Sequence, residues 1–463
     1  MGFGNKTRSV ALTLIAVLAM VPFAAVADDS SRFELLEGRL LALEDELNST
    51  RAQLATSENL RADHMPAVSD GGGMDGFLSG LEIGGHVTTS YIYNFNNPDT
   101  NAGTQPFNQF NVNHNTFEFD GFKLELGKAA SEAGSAGFQV DLLFGANNHI
   151  LCNGAGGDAD SNVCVQEAYV SYNMNGTLLQ MGKWETLLGA EVIDSAYNNH
   201  VQHGILFTWA IPLVHTGLLA SGSLGEGVGW AAGVVNGFNN VTDTGDNKGV
   251  LGQLSFEDGP LFASIQAFIG SEGLRRSVSS EEIPGVTPLV IVGDNNNRVQ
   301  IYDLVVNYDL GNGNSLWANV DYGHLEHEFD VVFPLAEDLL ANNCLFAADY
   351  DEDPQWWGVA GGGKFAINDK ASIALRGEWF KDDGGARLCQ VVGGAFNDAT
   401  YVSATATLAY ELTENLTARV EFRHDVIDTD PIDTSPFLNS DSGARGREDQ
   451  NDVGIIEVVY QFD

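Results

Sequence analysis

The sequence predicts an all-β protein, a transmembrane antiparallel β-barrel of about sixteen strands preceded by a short N-terminal α-helical coiled coil. Three observations support this fold class. Apolar residues recur at every second position in one segment after another from residue 80 onward. No stretch after residue 27 offers the roughly 18 consecutive apolar residues that a membrane helix needs. Short and long connections alternate between the segments, as they do in bacterial barrels.

Composition narrows the class of protein before any motif is considered. Of 463 residues, 63 are Asp or Glu and 22 are Lys or Arg, which gives a formal net charge of -41. So negative a surface has no electrostatic affinity for nucleic acid, and we expect no nucleic-acid partner. A hydrophobic content of 44% is too high for a disordered chain.

Residues 1–27, "MGFGNKTRSVALTLIAVLAMVPFAAVA", have the three parts of a cleaved signal peptide. Lys6 and Arg8 give a charged start, an apolar run follows, and Ala25 to Ala27 supply small residues before the cleavage point. A membrane-anchoring helix is the alternative, since the apolar run is nearly long enough to span. Signal-peptide cleavage predicts a protein exported from the cytoplasm.

Residues 28–61 carry a heptad pattern that predicts a periplasmic coiled-coil helix and therefore an oligomer. The alternative is an isolated amphipathic helix that lies on its own barrel. Residues 62–79 contain Pro66 and three consecutive glycines, which predict a flexible linker. The heptad residues are Phe33, Leu40, Leu47 and Leu54 at position a, and Leu36 and Leu43 at position d.

Residues 80–463 form the predicted barrel, with apolar side chains facing lipid and polar side chains facing water inside. In the segment around residue 420, Val420 and Phe422 alternate with Arg419, Glu421 and Arg423. A soluble sandwich or propeller has no reason to lengthen every second loop. The predicted strands are 80–95, 112–127, 136–150, 165–174, 178–186, 204–222, 227–237, 248–257, 260–270, 297–310, 314–330, 355–367, 370–382, 399–413, 415–428 and 450–462.

Several segments, taken in order, resemble the OmpL-like β-barrel porin family of bacterial outer membranes. The matching segments include "TTSYIYNFNNPDT" (88–100), "GFQVDLLFGA" (137–146), "QEAYVSYN" (166–173), "GKWETLLGAEVIDS" (182–195), "LFTWAIPLVHTG" (206–217), "VNGFNNVTD" (235–243) and "RVEFRHD" (419–425). The resemblance implies an outer-membrane diffusion channel for small hydrophilic solutes or ions. Analogy with general porins, together with the heptads, implies a homotrimer in outer-membrane lipid. We expect no cofactor.

The chemistry of a channel lies at its narrowest point, and the connection from Glu185 to Gly204 is the best candidate for a loop that folds inward. We predict that its carboxylates face wall arginines and create a transverse field across the pore. Its two histidines, His200 and His203, lie in the same stretch. The predicted constriction residues are Glu185, Glu191, Asp194, Arg376, Glu378, Arg419, Glu421 and Arg423.

Three alternatives stay open at this point. The wall arginines could simply form ion pairs that stabilise the barrel, with Glu378 and Glu421 as partners of Arg376, Arg419 and Arg423. The barrel could be a lipid or peptide hydrolase with Ser and His on separate strands, although no G-x-S-x-G motif occurs. It could also be a plugged structural or adhesive surface barrel, which would not conduct.

Four cysteines fall in predicted external loops, where disulfides are favoured. Proximity along the loops favours pairing of Cys152 with Cys164 and of Cys344 with Cys389. Acidic clusters at 349–354 and 425–433 could hold calcium, but neither has EF-hand spacing. Solvated acidic loops are the preferred interpretation, and no metal site is predicted.

Overall fold

The structure is a computed structural model, and it describes the barrel region of the chain. The described residues are 80–98, 107–148, 163–243, 247–271, 275–277, 290–292, 298–326, 353–385, 387–388, 391–392, 395–396, 398–429, 437–438 and 447–462. The predicted signal peptide, coiled coil and linker lie outside the described residues. Within the described part of the chain, no helix is both long and apolar enough to cross a bilayer.

The described residues form a closed antiparallel barrel of sixteen strands, as the sequence predicts. Each strand pairs with the next one in the chain, and β1 pairs with β16 to close the sheet. The strands are β1 (Glu82–Asn94), β2 (Thr116–Lys128), β3 (Ala136–Phe144), β4 (Val163–Met174), β5 (Thr177–Glu185), β6 (Val214–Gly225), β7 (Val228–Val235), β8 (Gly249–Asp258), β9 (Leu261–Ser271), β10 (Arg298–Gly311), β11 (Asn314–Glu326), β12 (Gln355–Asn368), β13 (Ala371–Asp383), β14 (Ala399–Thr413), β15 (Leu416–Thr429) and β16 (Gln450–Phe462).

The two ends of the barrel differ in their connections. At one end, the turn side, neighbouring strands are joined by short turns such as Asn175–Gly176, where both residues have positive φ. Asn and Gly tolerate this backbone best, and the resulting turn matches the twist of the strands. At the other end, the loop side, the connections are long. Three of them carry two-stranded hairpins, which pair Arg275–Ser277 with Val290–Val292, Val391–Val392 with Ala395–Phe396, and Phe437–Leu438 with Arg447–Glu448.

The alternation of side chains along the strands has the polarity expected of a membrane barrel. Val420 is 52% exposed and Phe422 49% exposed on the outside, whereas Arg419, Glu421 and Arg423 are buried inside. Side chains of successive strand residues point to opposite faces. The predicted assignment of faces on β15 is therefore confirmed.

One predicted strand is wrong in its first half. A strand is predicted at 204–222, but β6 begins at Val214, and Leu206–Ala210 forms a π-helical turn. Ile205 and Leu206 are buried together with inward-facing wall residues. The apolar side chains before β6 are buried inside the barrel. They are therefore removed from water without forming a strand of the sheet.

Near the loop side, many of the wall residues that point inward are apolar, which the polar-inside rule does not predict. They pack against the segment between β5 and β6 and form one buried cluster with it. These side chains face protein instead of water, so burying them there is favourable. The wall members include Phe268, Val299, Ile301, Leu325, Trp356, Phe380, Tyr401 and Ile427.

Candidate functional site

Residues 186–213, here called the inner segment, connect β5 to β6 and lie inside the barrel. Its two ends are joined where the Thr186 N–H donates to the Leu213 carbonyl at 2.9 Å. Between these ends its backbone and side chains contact inward-facing groups of distant strands. The Gly189 N–H donates to Asp303 Oδ2 on β10 at 2.7 Å, and the Trp356 indole on β12 donates to the Ala210 carbonyl at 3.0 Å.

Arg376 on β13 joins the inner segment to the wall. Its Nη1 donates to Glu191 Oε1 at 2.6 Å and to the Gln202 carbonyl at 3.0 Å, both in the inner segment. Its Nε lies 3.0 Å from Glu378 Oε2 on the same strand. The guanidinium is buried between two carboxylates. Charge-assisted hydrogen bonds of this kind are the strongest that a protein makes, so Arg376 fixes the segment in place.

Arg419 and Arg423 on β15 hold the backbone of the inner segment in a similar way. Arg419 donates to the Asn198 carbonyl at 2.8 Å, and its Nε donates to Glu457 Oε2 at 2.6 Å. Arg423 donates to the His203 carbonyl at 2.6 Å. Both arginines are buried, and each guanidinium lies against the inner segment on one side and a carboxylate on the other.

Glu421 lies between these arginines but pairs with the backbone of the inner segment. Its carboxylate accepts the N–H of Val201 at 2.7 Å and the N–H of Gln202 at 2.9 Å. The Thr407 hydroxyl donates to it at 2.6 Å, and the ring of His200 contacts the same hydroxyl at 2.7 Å. The buried carboxylate thus accepts hydrogen bonds from backbone N–H groups of the inner segment that would otherwise be buried without a partner.

Each of the three arginines lies beside a carboxylate of the wall, but only one of these partners is a residue that the pairing alternative names. Arg376 contacts Glu378, as that alternative expects. Arg419 pairs with Glu457, and Arg423 Nε donates to Asp425 Oδ1 at 2.7 Å. The alternation of side chains along a strand predicts which residues point inward. It does not predict which inward carboxylate pairs with which arginine.

Gly204 lies where the inner segment comes closest to the carboxylates of β13. Its N–H donates to Glu191 Oε2 at 2.7 Å. A Cβ at this position would fall 2.8 Å from the same oxygen and would collide with Glu378. A side chain would therefore separate the segment from the wall.

Glu191 and His203 sit side by side within the inner segment. Burial alone would raise the pKa of Glu191, but Arg376 and His203 hold it below the usual 4.5. Burial lowers the pKa of His203 below 6.5, against the opposing effect of Glu191. The His203 ring stacks on Phe207 at 4.4 Å and donates from Nε2 to the Val192 carbonyl at 2.9 Å. Its Nδ1 has no partner, which fits a neutral ring.

Glu185 and Asp194 lie in a second group, around a lysine that the sequence analysis did not identify. Lys123 Nζ on β2 is 2.5 Å from Asp194 Oδ2 and 3.9 Å from Glu185 Oε1. It is also 3.1 Å from Asp141 on β3 and 3.3 Å from Glu125 on β2. The signal in the sequence was the alternation of Lys123 and Glu125 on the inward face of β2. No neighbouring residue in the sequence indicates that this face of β2 contacts the inner segment.

The predicted constriction residues therefore fall into two groups at different parts of the wall. Between the groups, Val192 and Tyr197 of the inner segment are 41% and 51% exposed. The Tyr197 hydroxyl donates to Glu125 Oε1 at 3.1 Å. Because the segment packs on the inner wall of a closed barrel, these exposed side chains face the lumen.

A cavity of about 580 Å³ lies on the turn side of the inner segment. Asn198 and Asn199 of the segment line it on one side. The charged residues of its lining are Lys364, Asp369, Lys370, Glu411 and Arg419. This part of the lumen is open space with polar walls, and the inner segment bounds it.

Cys164 is disulfide-bonded and fully buried, and it lies in β4 instead of the predicted external loop. Cys152, Cys344 and Cys389 lie outside the described residues, so the two pairings stay predictions. The acidic cluster at 349–354 is described only at 353–354, and the cluster at 425–433 only at 425–429. Among the described residues, no three His, Cys, Asp or Glu side chains are grouped as a metal site.

A closed barrel of sixteen strands with a connection folded against its inner wall defines the class of membrane channels known as porins. Residues 80–462 match the family described as "Putative beta-barrel porin-2, OmpL-like". The chain belongs to this family, and the resemblance inferred from its segments is confirmed.

Solved structures with the same fold are distant in sequence. The outer-membrane channel DcaP of Acinetobacter baumannii is 14% identical, with a TM-score of 0.51, and the match covers 82% of this chain and 97% of that one. OmpT of Vibrio cholerae is 12% identical, with a TM-score of 0.50 and coverage of 82% and 97%. The anion-selective porin from Comamonas acidovorans is 10% identical, with a TM-score of 0.50 and coverage of 82% and 99%. No curated protein matches the chain.

Proposed function

We propose that this porin lets small hydrophilic solutes and ions diffuse passively across the bacterial outer membrane, through a lumen narrowed by the inner segment. One observation carries the proposal: buried ion pairs and backbone hydrogen bonds fix the inner segment to the inside of a closed barrel. Because these contacts hold the inner segment in place, it narrows the water-filled lumen and does not move freely within it. The side chains that face the lumen then sort solutes by size and charge.

The outer surface supports the membrane location. Apolar side chains cover it, and aromatic residues gather near both ends of the strands, as in the girdles of outer-membrane barrels. Near the loop side, exposed aromatic residues include Phe95, Phe117, Tyr302, Trp357 and Trp379; near the turn side, they include Tyr172, Phe256, Tyr308, Tyr410 and Tyr460.

The proposal also assigns roles to the N-terminal region, residues 1–79. Residues 1–27 would be removed on export from a Gram-negative cell, and the helix at 28–61 would lie in the periplasm, joined to the barrel by 62–79. Its heptads, together with the analogy with general porins, support a homotrimer. A trimer form is known for OmpT of Vibrio cholerae, which shares this fold at 11% identity.

Planar-bilayer recording of the purified full-length protein tests the channel function. Discrete conductance steps are expected, together with swelling of liposomes in small sugars. A barrel without conductance would favour the plugged structural or adhesive alternative. Hydrolysis of lipid or peptide by the same preparation would favour the enzyme alternative.

Acid is expected to loosen the inner segment in two steps. A lowered pKa of His203 means that the released segment binds a proton more readily than the packed one, so stability is full above 6.5 and falls below it. The lowered pKa of Glu191 stabilises the packed state above 4.5, and this contribution is lost as pH falls through its still lower value. We expect steady conductance from about pH 8 to 6.5, and larger, noisier currents below that.

The variant His203→Gln separates the two steps, because it keeps a polar amide but does not titrate. Its conductance is expected to stay steady to lower pH than that of the unmodified protein and then to change with Glu191. Recordings at stepped pH measure this difference. Identical pH profiles for the two proteins would contradict the role of His203.

A further inference from the structure

We infer that the carboxylates around Lys123 form a cation-binding site in the lumen, so that inorganic cations and organic ammonium or guanidinium solutes pass in preference to anions. This inference rests on the proposed function as a water-filled channel. It adds the class of solute and the place where that solute is recognised.

Negative charge exceeds positive charge around Lys123. Four carboxylates surround the single ammonium group of Lys123 at distances from 2.5 to 3.9 Å. They come from three strands and the inner segment, namely Glu125, Asp141, Glu185 and Asp194. His86 Nε2 lies 3.6 Å from Asp194 Oδ1, so Lys123 and a protonated His86 could together neutralise two of the four carboxylates. Protons or solute cations must supply the remaining positive charge. Opposite charges attract strongly in a lumen bounded by protein.

Two of these carboxylates are accessible from the lumen. The side chains of Glu125 and Glu185 are 25% and 24% exposed, whereas those of Lys123, Asp141 and Asp194 are nearly fully buried. Two carboxylates therefore meet water inside the barrel. A passing cation can reach them without displacing the lysine that holds Asp194.

The side chain of Gln166 adds a buried hydrogen-bond acceptor without a donor beside these carboxylates. Gln166 is 0% exposed, and its amide Nε2 donates to Glu185 Oε1 at 2.7 Å and to Asp194 Oδ2 at 2.9 Å. Its Oε1 has no hydrogen-bond partner. A buried oxygen left without a partner is costly. Because a glutamine amide can turn over, this oxygen can join the carboxylates as a ligand when a cation is present.

The other cations of the described inner wall lie against partners of their own. Lys183 Nζ on β5 donates to the Val165 carbonyl at 2.7 Å. The guanidinium groups of Arg376, Arg419 and Arg423 are buried against carboxylates and the inner segment. The lining of the turn-side cavity contains two lysines and Arg419 together with the carboxylates of Asp369 and Glu411, and Arg419 pairs with Glu457. The uncompensated charge near the inner segment is therefore negative.

Reversal potentials in a KCl gradient across a planar bilayer test the inference. The unmodified protein is expected to prefer K⁺ over Cl⁻, and the double variant Glu125→Gln with Glu185→Gln is expected to lose that preference severalfold. The matched control, Glu226→Gln with Glu257→Gln, removes the same charge from exposed sites at the turns. It is expected to leave the permeability ratio nearly unchanged.

Block by spermidine gives a second readout that does not depend on comparing permeability ratios. This polyamine is expected to reduce K⁺ current through the unmodified protein and to do so severalfold less well in the double variant. A conducting protein without cation preference, or a double variant that matches the control in both assays, would overturn the cation site alone. A protein that folds but does not conduct would overturn the proposed channel and this inference together.

Discussion

Replacing Arg376 by alanine is expected to release the inner segment and raise single-channel conductance. The substitution removes the cation that lies 2.6 Å from Glu191 and 3.0 Å from Glu378 and leaves both carboxylates buried. Breaking a buried ion pair on one side costs about 3–5 kcal/mol, because the remaining charge has no partner. The segment can avoid that cost by leaving the wall, so we expect wider and more variable current levels in planar bilayers.

The control for this experiment is Lys381→Ala on the same strand. Lys381 pairs with Asp383 at 3.3 Å, but both side chains are more than one-third exposed. Surface ion pairs contribute less than about 1 kcal/mol, so conductance and stability should stay close to those of the unmodified protein. If Arg376→Ala behaves like Lys381→Ala in both measurements, the ion pairs of Arg376 do not hold the segment.

Replacing Phe422 by arginine is expected to weaken folding into lipid strongly. Phe422 is 49% exposed on the outer face of β15, where the proposed membrane location gives it a lipid environment. An arginine on the lipid face of a barrel costs about 2–4 kcal/mol at the bilayer midplane. Urea titration of folding in phospholipid vesicles measures the difference in free energy of unfolding.

Phe422→Leu is the matched control, because it shortens the side chain without adding charge. Its unfolding midpoint should lie much closer to that of the unmodified protein. Equal stability of the arginine and leucine variants would mean that this face of β15 does not contact lipid.

The barrel itself could be predicted from local features of the sequence. A strand with one wet and one apolar face must alternate with period two, and Asn175–Gly176 marks a tight turn wherever it lies in the fold. The start of β14 at Ala399 and of β16 at Gln450 agree with the predicted boundaries for this reason. Closure of the sheet follows from the number and order of the strands.

The interior could be predicted only in part, because it depends on contacts between distant parts of the chain. The run at 204–213 is apolar, and its sequence does not say whether lipid, sheet or an interior core will cover it. Lys123 and Asp194 are 71 residues apart, and only the closed barrel brings them together. Phe380 and Tyr401 are apolar and point inward, where the inner segment covers them. Their orientation could not be predicted without knowing the position of that segment.

The size of neutral polymers that enter the channel tests the central claim most directly. Conductance of the unmodified protein is measured with polyethylene glycols of graded size, beside a variant in which residues 192–203 are replaced by a short Gly-Ser linker. We predict that the shortened variant conducts more and admits larger polymers, because the segment that narrows the lumen has been removed. The same size limit in both proteins, with unchanged conductance, would contradict the claim that the inner segment forms the constriction.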